Sequence, residues 1–272
     1  DDNGRPLRMF GTIQDLTDLR RAEEERDRLI EVEQEARRTA EEAVKARDEF
    51  LSIAAHDLKT PLSALMIQVE GMNSRAHAGT LDDALLSAGL DLIERQSRRL
   101  VHLVNSLLTV SRLHTGQFAL ERRPADLGEI AADVTARHGP ALERAGCSLE
   151  LVRYGSGRTH GEWDVARIEQ IIENLLSNAM KFGAGRPIRI EVTATATRAM
   201  LAISDGGPGI AEAMREKIFE RFERGGVGRH VGGMGMGLYI ARRIATAHGG
   251  FLHAERGRGG GARIVLELPN GG

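Results

Sequence analysis

The chain is poor in cysteine, in aromatic residues and in long apolar stretches. Its one cysteine, Cys147, cannot form a disulfide within the chain, so we expect a reducing compartment and a cytoplasmic location. No stretch approaches the ~20 apolar residues that cross a bilayer, and we expect no membrane contact within these residues. Only 4% of the residues are aromatic and the formal net charge is -2. These values argue against nucleic acid as a partner, because base-stacking surfaces and a general positive charge are both lacking.

The remaining composition is that of a globular protein with about two domains. The chain has 272 residues, of which 41% are apolar and 28% are charged, and domains commonly hold ~150 residues each. The first residues, Asp1-Asp2-Asn3-Gly4, include no start methionine and do not resemble a signal peptide. We therefore expect a piece of a longer protein, and the sequence leaves open whether the parent is tethered to a membrane.

A heptad repeat runs through residues 18–49, which are rich in Glu, Arg and Ala and contain neither Gly nor Pro. The repeat has two registers, offset by three residues: Leu29, Ala36, Ala43 and Phe50, and Val32, Thr39, Ala46 and Ile53. Such a seam with charged flanks predicts a parallel two-stranded coiled coil, and therefore a homodimer. The alternative is a single amphipathic helix lying on a domain, because small alanines make a weak seam.

Residues 50–116 predict an α-helical hairpin. The first helix should continue past His56 and bend near it, because Pro61 removes a backbone donor. We expect a break from Gly71 to Thr80 and a second helix from Leu81 to about Leu113. Neither helix buries its apolar stripe well alone, so two hairpins should pair into a dimeric four-helix bundle. Residues 117–124 then read as a linker.

From residue 125 onward the pattern alternates between helices and strands. Asp164 is expected to cap a strong helix that ends at Phe182. The fold class predicted for this half is an α+β two-layer sandwich, with helices on one face of a mixed sheet. The predicted helices are 127–145 and 164–182, and the predicted strands are 148–153, 188–196, 200–204, 250–255 and 262–268, the last two as a closing pair.

His56 is the first candidate for chemistry, because it stands beside Asp57 on an apolar-periodic helix. An imidazole next to a carboxylate can act as a nucleophile. Phosphoryl transfer is the reaction that such a histidine fits, provided that another part of the chain holds the phosphates.

A polar stripe on the helix from Asp164 is a second candidate. Asn174, Asn178 and Lys181 recur on one face, and asparagine is a poor helix former unless its side chain is needed. Neutral oxygen ligands suit Mg²⁺, and a lysine suits a phosphate. The alternative is an ordinary solvated face.

Two glycine-rich segments follow. Asp205-Gly206-Gly207-Pro208-Gly209 comes directly after a strand and predicts a tight turn that can approach a flat ligand, although an ordinary hairpin turn would look similar. Residues 231–240 lead from a glycine-rich loop into a helix, whose bare N-terminal amides can bind phosphate. The spacing of the glycines in residues 231–240 matches neither a P-loop nor a dinucleotide-binding turn.

Taken in order, these segments resemble the two-component sensor histidine kinases over residues 44–268. His56 with Asp57, Thr60 and Pro61 resembles the H-box of that family. The other matching motifs are an N-box at Asn174, Asn178, Lys181 and Phe182, a first glycine box at Asp205, Gly207 and Gly209, an F-box at Phe219-Glu220-Arg221-Phe222, and a second glycine box at Gly233, Gly235 and Gly237.

The resemblance implies an ATP-binding domain of the type shared with gyrase, Hsp90 and MutL. In that family pattern Asp205 accepts from the adenine amino group, Asn178 and Asn174 hold Mg²⁺, Lys181 contacts phosphate and Phe182 lies along the nucleotide. The nucleotide-binding set implied is completed by Gly207, Gly209, Gly233, Gly235, Gly237 and Leu238. A mobile lid is implied over residues 211–234.

The resemblance also implies the chemistry and the partner. The Nε2 atom of His56 would attack the γ-phosphorus of ATP while Asp57 fixes the tautomer, and the phosphoryl group would pass to an aspartate of a response regulator. Thr60 resembles the position that orients a water when such proteins dephosphorylate the regulator. Which regulator is used, and whether each protomer labels itself or its neighbour, stays open.

Residues 1–17, with Asp15-Leu16-Thr17 at their end, resemble the end of a PAS sensor domain. The predicted division of the chain is therefore a sensor remnant at 1–17, a coiled-coil signalling helix at 18–49, a dimerisation and phosphotransfer domain at 50–116, a linker at 117–124 and a catalytic ATP-binding domain at 125–272.

Two other functions fit parts of the pattern. One is a gyrase- or Hsp90-type ATPase, although the helix position that would carry its glutamate is Asn174, and Glu173 points about 100° away around the helix. The other is a non-catalytic scaffold that dimerises and reads nucleotide without phosphoryl transfer.

Overall fold

A computed structural model describes residues 17–114, 119–154, 159–183, 185–223, 235–257 and 259–271. The predicted sensor remnant, apart from Thr17, lies outside these described residues. The chain divides into two compact units, residues 1–55 and 56–272. Helix α1, Thr17–His77, begins in the first unit and ends in the second, so its two parts are described separately.

The first unit is the helical segment from residue 17 to residue 55. Leu29 and Val32, both in the predicted seam, have exposed fractions of 59% and 61%. Charged residues lie elsewhere on the helix surface, for example Arg37 and Glu41, whose side chains pair at 2.8 Å. The side chains of the seam residues Ala43, Ala46 and Phe50 lie outside the described residues. The described part of the seam is thus an apolar stripe that the single chain leaves open to solvent.

The second part of α1 and helix α2, Asp83–His114, form the predicted hairpin. The predicted break from Gly71 to Thr80 is wrong over most of its length, because α1 continues through Gly71 to His77. A glycine inside a helix costs only about 1 kcal/mol relative to alanine, which is too little to end it. The chain reverses at Gly79 instead, where φ is +67°.

The end of α1 and the start of α2 are fixed by local hydrogen bonds. Gly79 N–H donates to the carbonyl of Ala76 at 3.1 Å and Thr80 N–H to that of Arg75 at 2.9 Å, which is the Schellman arrangement. Asp82 caps α2, since its Oδ1 accepts from Leu85 N–H at 2.7 Å.

The hairpin presents a broad apolar surface in the single chain. The exposed large apolar side chains of its two helices are Leu62, Met66, Ile67, Val69, Leu85, Leu86, Leu90, Val101, Val104 and Leu108. A soluble protein rarely leaves a patch of this extent uncovered. None of the helices in the described part of the chain is both long and apolar enough to cross a membrane.

The remainder of the second unit is the predicted two-layer sandwich. Its five-stranded mixed sheet has the order β2-β4-β5-β7-β6, in which only β2 and β4 run parallel. The sheet strands are β2 Leu149–Arg153, β4 Ile188–Ala194, β5 Arg198–Ser204, β6 Phe251–Arg256 and β7 Ala262–Pro269. The helices are α3 Leu127–Arg144, α4 Val165–Phe182 and α5 Gly237–Ala247, with short 3₁₀ turns at Glu212–Met214 and Lys217–Phe219.

Alternation along the strands separates the two faces of the sheet. Ile188, Ile190 and Val192 of β4 are fully buried under the helices, whereas Arg189 between them pairs with Glu150 at 2.8 Å on the open face. On the other side of the core, α4 contributes the buried residues Ile168, Ile171, Ile172, Leu175 and Leu176. The apolar layer between sheet and helices fixes the position of α4.

Some features of this half were predicted and others were missed. Asp164 caps α4 by accepting from Arg167 N–H at 3.2 Å, and β6 pairs with β7 as expected. The missed feature is a small antiparallel sheet of β1, Arg123–Asp126, and β3, His160–Trp163. The first two residues of β1 fall in the segment predicted as a linker.

The cap of α2 gives a testable prediction. Asp82→Ala should lower the free energy of unfolding by about 1 kcal/mol, because the amides of the first turn of α2 lose their acceptor. Asp82→Asn is the matched control and should retain nearly all of the stability, since its amide oxygen can still accept. Urea denaturation followed by circular dichroism measures both, and equal losses would show that the cap does not stabilise the hairpin.

Candidate active site

A cavity of about 370 Å³ opens between α4, the turn after β5 and the start of α5. Its size lies in the usual range of ligand sites, ~300–1,000 Å³. The predicted site residues that line it are Asn174, Asn178, Lys181, Phe182, Asp205, Gly209, Gly235, Gly237 and Leu238. Gly233 lies outside the described residues, and His56, Asp57 and Thr60 are on α1 rather than in the cavity wall.

Asp205 is held in a fixed position at the end of β5. Its N–H donates to the carbonyl of Ala262 in β7 at 3.0 Å. Its Oδ1 accepts from the N–H groups of Gly207 at 2.8 Å and Ala262 at 3.3 Å. Burial raises the pKa of Asp205, and the two backbone donors oppose that shift. Within the described residues both bonds go to Oδ1, which leaves Oδ2 available to accept from a ligand.

The glycines beside Asp205 are required by the protein's own backbone. A Cβ on Gly207 would lie 2.7 Å from the carbonyl oxygen of Phe182. Gly209 has φ of +77°, and a Cβ there would collide with the carbonyl of Gly260. The sequence pattern attributed these glycines to the approach of a ligand. The structure gives another reason, which is that the turn packs against the end of α4 and the loop before β7.

The asparagine stripe of α4 faces the cavity, so the alternative of a solvated face is excluded for Asn174, which is only 7% exposed. Its Oδ1 is 3.5 Å from the position that a Cβ on Gly237 would take. Asn178 is half-buried and Lys181 is exposed. The Nζ atom of Lys181 is 5.1 Å from the centre of the Phe182 ring. These side chains bring amide oxygens and one positive charge to the same wall.

The start of α5 faces the same space. No side chain of the described residues caps it, and Gly237 and Leu238 line the cavity. The first amides of a helix have no partner within the helix and carry partial positive charge. They are therefore available to an anion such as a phosphate.

The donor set fits Mg²⁺ better than a transition metal. No three His, Cys, Asp or Glu side chains of the described residues come together as a metal site. Magnesium prefers oxygen ligands and commonly takes several of them from substrate phosphates. Asn174 and Asn178 supply amide oxygens next to the helix end that suits those phosphates.

Sequence reasoning missed part of the cavity wall. Ile203, Ile218, Met236 and Ile264 give it an apolar base, which a flat aromatic ligand would cover. Side chains of α2 line another side, namely Arg99, His102, Leu103 and Ser106. The sequence carries no local signal for these contacts, because they arise only when distant elements pack together.

Glu173 does not take part in this site. Its carboxylate is 3.6 Å from a guanidinium nitrogen of Arg137 on α3, and it is not among the residues that line the cavity. Helix α4 therefore brings amides rather than a carboxylate to the cavity, which disfavours activation of a water by a glutamate of this helix.

His56 is exposed on α1, with 79% of its side chain accessible. Its Nδ1 is 3.2 Å from Oδ1 of Asp57, whose side chain is only 12% exposed. With the proton on Nδ1, this contact leaves the Nε2 lone pair free to attack an electrophile. Thr60 lies one turn later, and its hydroxyl donates to the carbonyl of His56 at 3.1 Å. Pro61 follows inside the helix and provides no N–H for the carbonyl of Asp57.

The F-box residues lie within residues 211–234, the segment that was predicted as a lid. Phe219 is buried, and Phe222 has φ of +65°, a strained conformation for a bulky residue. The guanidinium of Arg221 stacks 5.1 Å from the centre of the Tyr239 ring at the start of α5. The lid residues 224–234 lie outside the described residues, so the lid itself stays a prediction.

Comparison with known proteins identifies two families in the chain. Residues 46–116 match the His Kinase A (phospho-acceptor) domain, and residues 163–272 match the Histidine kinase-, DNA gyrase B-, and HSP90-like ATPase domain. A curated relative, the alginate biosynthesis sensor protein KinB of Pseudomonas aeruginosa, is 33% identical over 229 residues, covering 83% of this chain and 37% of KinB.

Two further proteins are similar to this chain over most of its length. The autoinducer 2 sensor kinase/phosphatase LuxQ of Vibrio parahaemolyticus is 26% identical over 98% of this chain and 32% of its own length. The crystal structure of full-length ShkA in complex with AMPPNP covers 70% of this chain and 39% of ShkA, with 28% identity and a TM-score of 0.59.

The chain thus spans only about a third of the length of these curated relatives, at 37% and 32%. Both matched domains occur in the order that the sequence motifs predicted, the phospho-acceptor domain before the ATPase domain. The chain belongs to the two-component sensor histidine kinases.

Proposed function

We propose that the protein is an ATP-dependent protein-histidine kinase that phosphorylates His56 and then transfers the phosphoryl group to an aspartate of a response regulator. The observation that carries this proposal is the arrangement of Asp205, whose Oδ1 is engaged by two backbone N–H groups and whose Oδ2 is left for a ligand. A fixed acceptor above an apolar base suits the amino edge of adenine. The similarity to ShkA, which was crystallised with AMPPNP, supports ATP as the ligand.

Different residues of the cavity bind different parts of the nucleotide. Asp205 accepts from the adenine amino group, and Phe182 lies along the nucleotide. The amides at the start of α5 and the Lys181 ammonium bind phosphate oxygens. Asn178 and Asn174 would hold Mg²⁺, which neutralises charge on the phosphates when it is bound.

His56 supplies the nucleophile. As its Nε2 forms a bond to the γ-phosphorus, the bond from that phosphorus to the bridging oxygen breaks and ADP leaves. The proton stays on Nδ1, where the Asp57 carboxylate stabilises the positive charge that develops on the ring. Because phosphoryl transfer has a loose transition state, most of the rate effect comes from positioning and electrostatics.

The second transfer moves the phosphoryl group from Nε2 of His56 to a carboxylate oxygen of the regulator. We also propose that the protein catalyses dephosphorylation of that regulator. The Thr60 hydroxyl donates to a backbone carbonyl, so its lone pairs remain able to accept from a water and orient it. The similarity to LuxQ, described as a sensor kinase/phosphatase, supports this second activity.

The active form is proposed to be a homodimer. The exposed apolar side chains of the hairpin helices and the open seam at Leu29 and Val32 need a partner surface, and a second copy supplies one with matching geometry. A four-helix bundle preceded by a coiled coil would cover both.

Three further predictions remain proposals. They are the division of the chain at residues 17, 49, 116 and 124, the PAS remnant at its start, and a cytoplasmic location for this part of the parent protein.

Autophosphorylation gives the first test of the function. Incubation with γ-labelled ATP and Mg²⁺ should label the wild-type chain with an acid-labile, base-stable phosphate. His56→Gln and Asn178→Ala should each abolish the label, because one removes the nucleophile and the other a proposed Mg²⁺ ligand. His77→Gln, an exposed histidine of the same helix, is the matched control and should be labelled normally.

The other outcomes of this assay identify the competing functions. Release of free phosphate without label on the protein would point to an ATPase of the gyrase and Hsp90 type. Neither label nor release would point to a scaffold that does not transfer phosphate.

Nucleotide selectivity tests the role of Asp205. Wild type should bind Mg·ADP much more tightly than Mg·GDP, because guanine presents a carbonyl where adenine presents its amino donor. Asp205→Ala should weaken ADP binding about 10-fold or more, the effect expected when a hydrogen bond to a charged group worth about 1.5–3 kcal/mol is lost. Isothermal titration measures both, with the exposed carboxylate variant Asp133→Asn as control. Unchanged ADP affinity in Asp205→Ala would reject the assignment.

Thr60 should separate the two activities. Thr60→Ala is expected to slow dephosphorylation of the phosphorylated regulator about 10-fold or more, because the attacking water is no longer held in place, while labelling of His56 continues. Thr60→Ser restores the hydroxyl and should recover the dephosphorylation rate. If Thr60→Ala dephosphorylates the regulator as fast as wild type, Thr60 has no part in that reaction.

A further inference from the structure

His248 lies directly after α5, and its side chain connects two elements that are far apart in sequence. The residue is only 1% exposed. Its Nδ1 is 2.9 Å from the carbonyl oxygen of Ile244, and its Nε2 is 3.0 Å from the backbone nitrogen of Asp164. Since a carbonyl only accepts and an amide N–H only donates, the proton must be on Nδ1 and the lone pair on Nε2. Both partners thus require the same neutral tautomer.

Asp164 joins this contact to the start of α4 and to the preceding chain. Its Oδ1 accepts from Arg167 N–H at 3.2 Å as the cap of α4, and its Oδ2 accepts from Glu121 N–H at 3.1 Å. The neighbouring Arg122 donates to the carbonyl of Ala247 at 3.0 Å. We call Asp164, His248, Glu121 and Arg122 the His248 node. It is the place where the segment after the hairpin is attached to both helices.

The node lies at the opposite ends of α4 and α5 from the candidate active site. Helix α4 begins at the node and carries Asn174 and Asn178 ten and more residues later, about 15 Å along the axis at 1.5 Å per residue. Helix α5 begins at Gly237 beside the cavity and ends at the node. A packed helix moves as a rigid body, so a shift of its end at the node also shifts its end at the cavity.

Helices α4 and α5 also meet at the cavity, where Gly237 lies against the side chain of Asn174.

We propose that His248 is a positioning residue for the nucleotide site. By accepting from the first amide of the α4 cap, it holds α4 and α5 in the register that places the asparagine ligands opposite the phosphate-binding end of α5. This inference rests on the proposed function, because it takes a magnesium nucleotide as the ligand.

The charge state of His248 makes the contact sensitive to acid. Burial lowers the pKa of His248, Arg122 lowers it further, and the Ile244 carbonyl and the Asp164 carboxylate oppose these effects. Asp164 on the cap of α4 and Arg122 before β1 are the charged groups that face it. The neutral ring therefore stabilises the fold fully above about pH 6.5, the ordinary histidine value. This contribution is lost as the pH falls from there towards the lowered pKa, because protonated Nε2 cannot accept.

Two substitutions separate the bond to Asp164 from the local packing. In His248→Gln, the amide reaches the place of Nε2, and its oxygen can accept from Asp164 N–H. In His248→Asn, the shorter amide reaches only the place of Nδ1 and keeps the bond to Ile244. Both variants are made in the complete 272-residue chain and titrated with Mg·ADP at pH 8.

The expected result is a difference between the two variants. His248→Asn should bind Mg·ADP about 10-fold more weakly, since small misplacements of binding groups are costly, whereas His248→Gln should remain within about 2-fold of wild type, as one acceptor is retained. Binding by the wild type should weaken more than binding by His248→Gln once the pH falls below the lowered pKa of His248, because protonated Nε2 no longer accepts and the amide of Gln does not titrate. Equal affinities for all three proteins, or equal losses in both variants, would overturn the proposal.

Two further readouts keep the test decisive. If circular dichroism shows His248→Asn to be unfolded, the comparison of wild type with His248→Gln across pH decides, and equal pH dependence rejects the role of Nε2. If the wild type binds no ADP, the proposed function fails independently. Amide exchange at Asn174 and Asn178 then tests the node alone: faster exchange in His248→Asn than in His248→Gln supports positioning, and unchanged exchange rejects it.

Discussion

The position of one carboxylate organises the candidate active site. Within the described residues, three hydrogen bonds to the backbone hold Asp205, one made by its own N–H and two received by Oδ1. The turn that supplies one of these donors packs so closely against the end of α4 that Gly207 has no room for a side chain. Fixing Asp205 therefore also fixes the distance between the sheet and the helix that carries the asparagines. An acceptor held in this way needs no rearrangement when a ligand binds.

The two halves of the proposed reaction have opposite structural requirements. The nucleotide side needs polar groups held in fixed positions, and the buried Asn174 and the half-buried Asp205 meet that need. The nucleophile side needs access, and the imidazole of His56 is 79% exposed with its carboxylate partner mostly buried beneath it. Burial of Asp57 orients the ring, while exposure of His56 allows it to meet two different partners, a nucleotide and a regulator. The helix thus combines a fixed carboxylate with an accessible ring.

Local patterns predicted the parts of the fold that depend on local physics. The cap at Asp164, the apolar face of α4 and the β6–β7 pair follow from capping and periodicity, and all are present. The misses depend on contacts between distant residues. Strands β1 and β3 are short and polar, and they exist only because they pair with each other. The role of His248 was not predicted either, since nothing near it in sequence reveals its bond to Asp164. The cavity residues were predicted by motif, whereas the apolar base and the α2 wall had no motif to mark them.

Pro61 gives the phospho-acceptor helix a property that its other turns lack. The series of backbone hydrogen bonds in α1 is interrupted about one turn after His56, because Pro61 has no N–H to donate to the carbonyl of Asp57. A helix that lacks one backbone hydrogen bond bends at that place at a lower energetic cost than elsewhere. In the proposed reaction His56 has to reach both a nucleotide and a regulator, and Pro61 places it beside the point where α1 bends most easily while the rest of the helix stays intact.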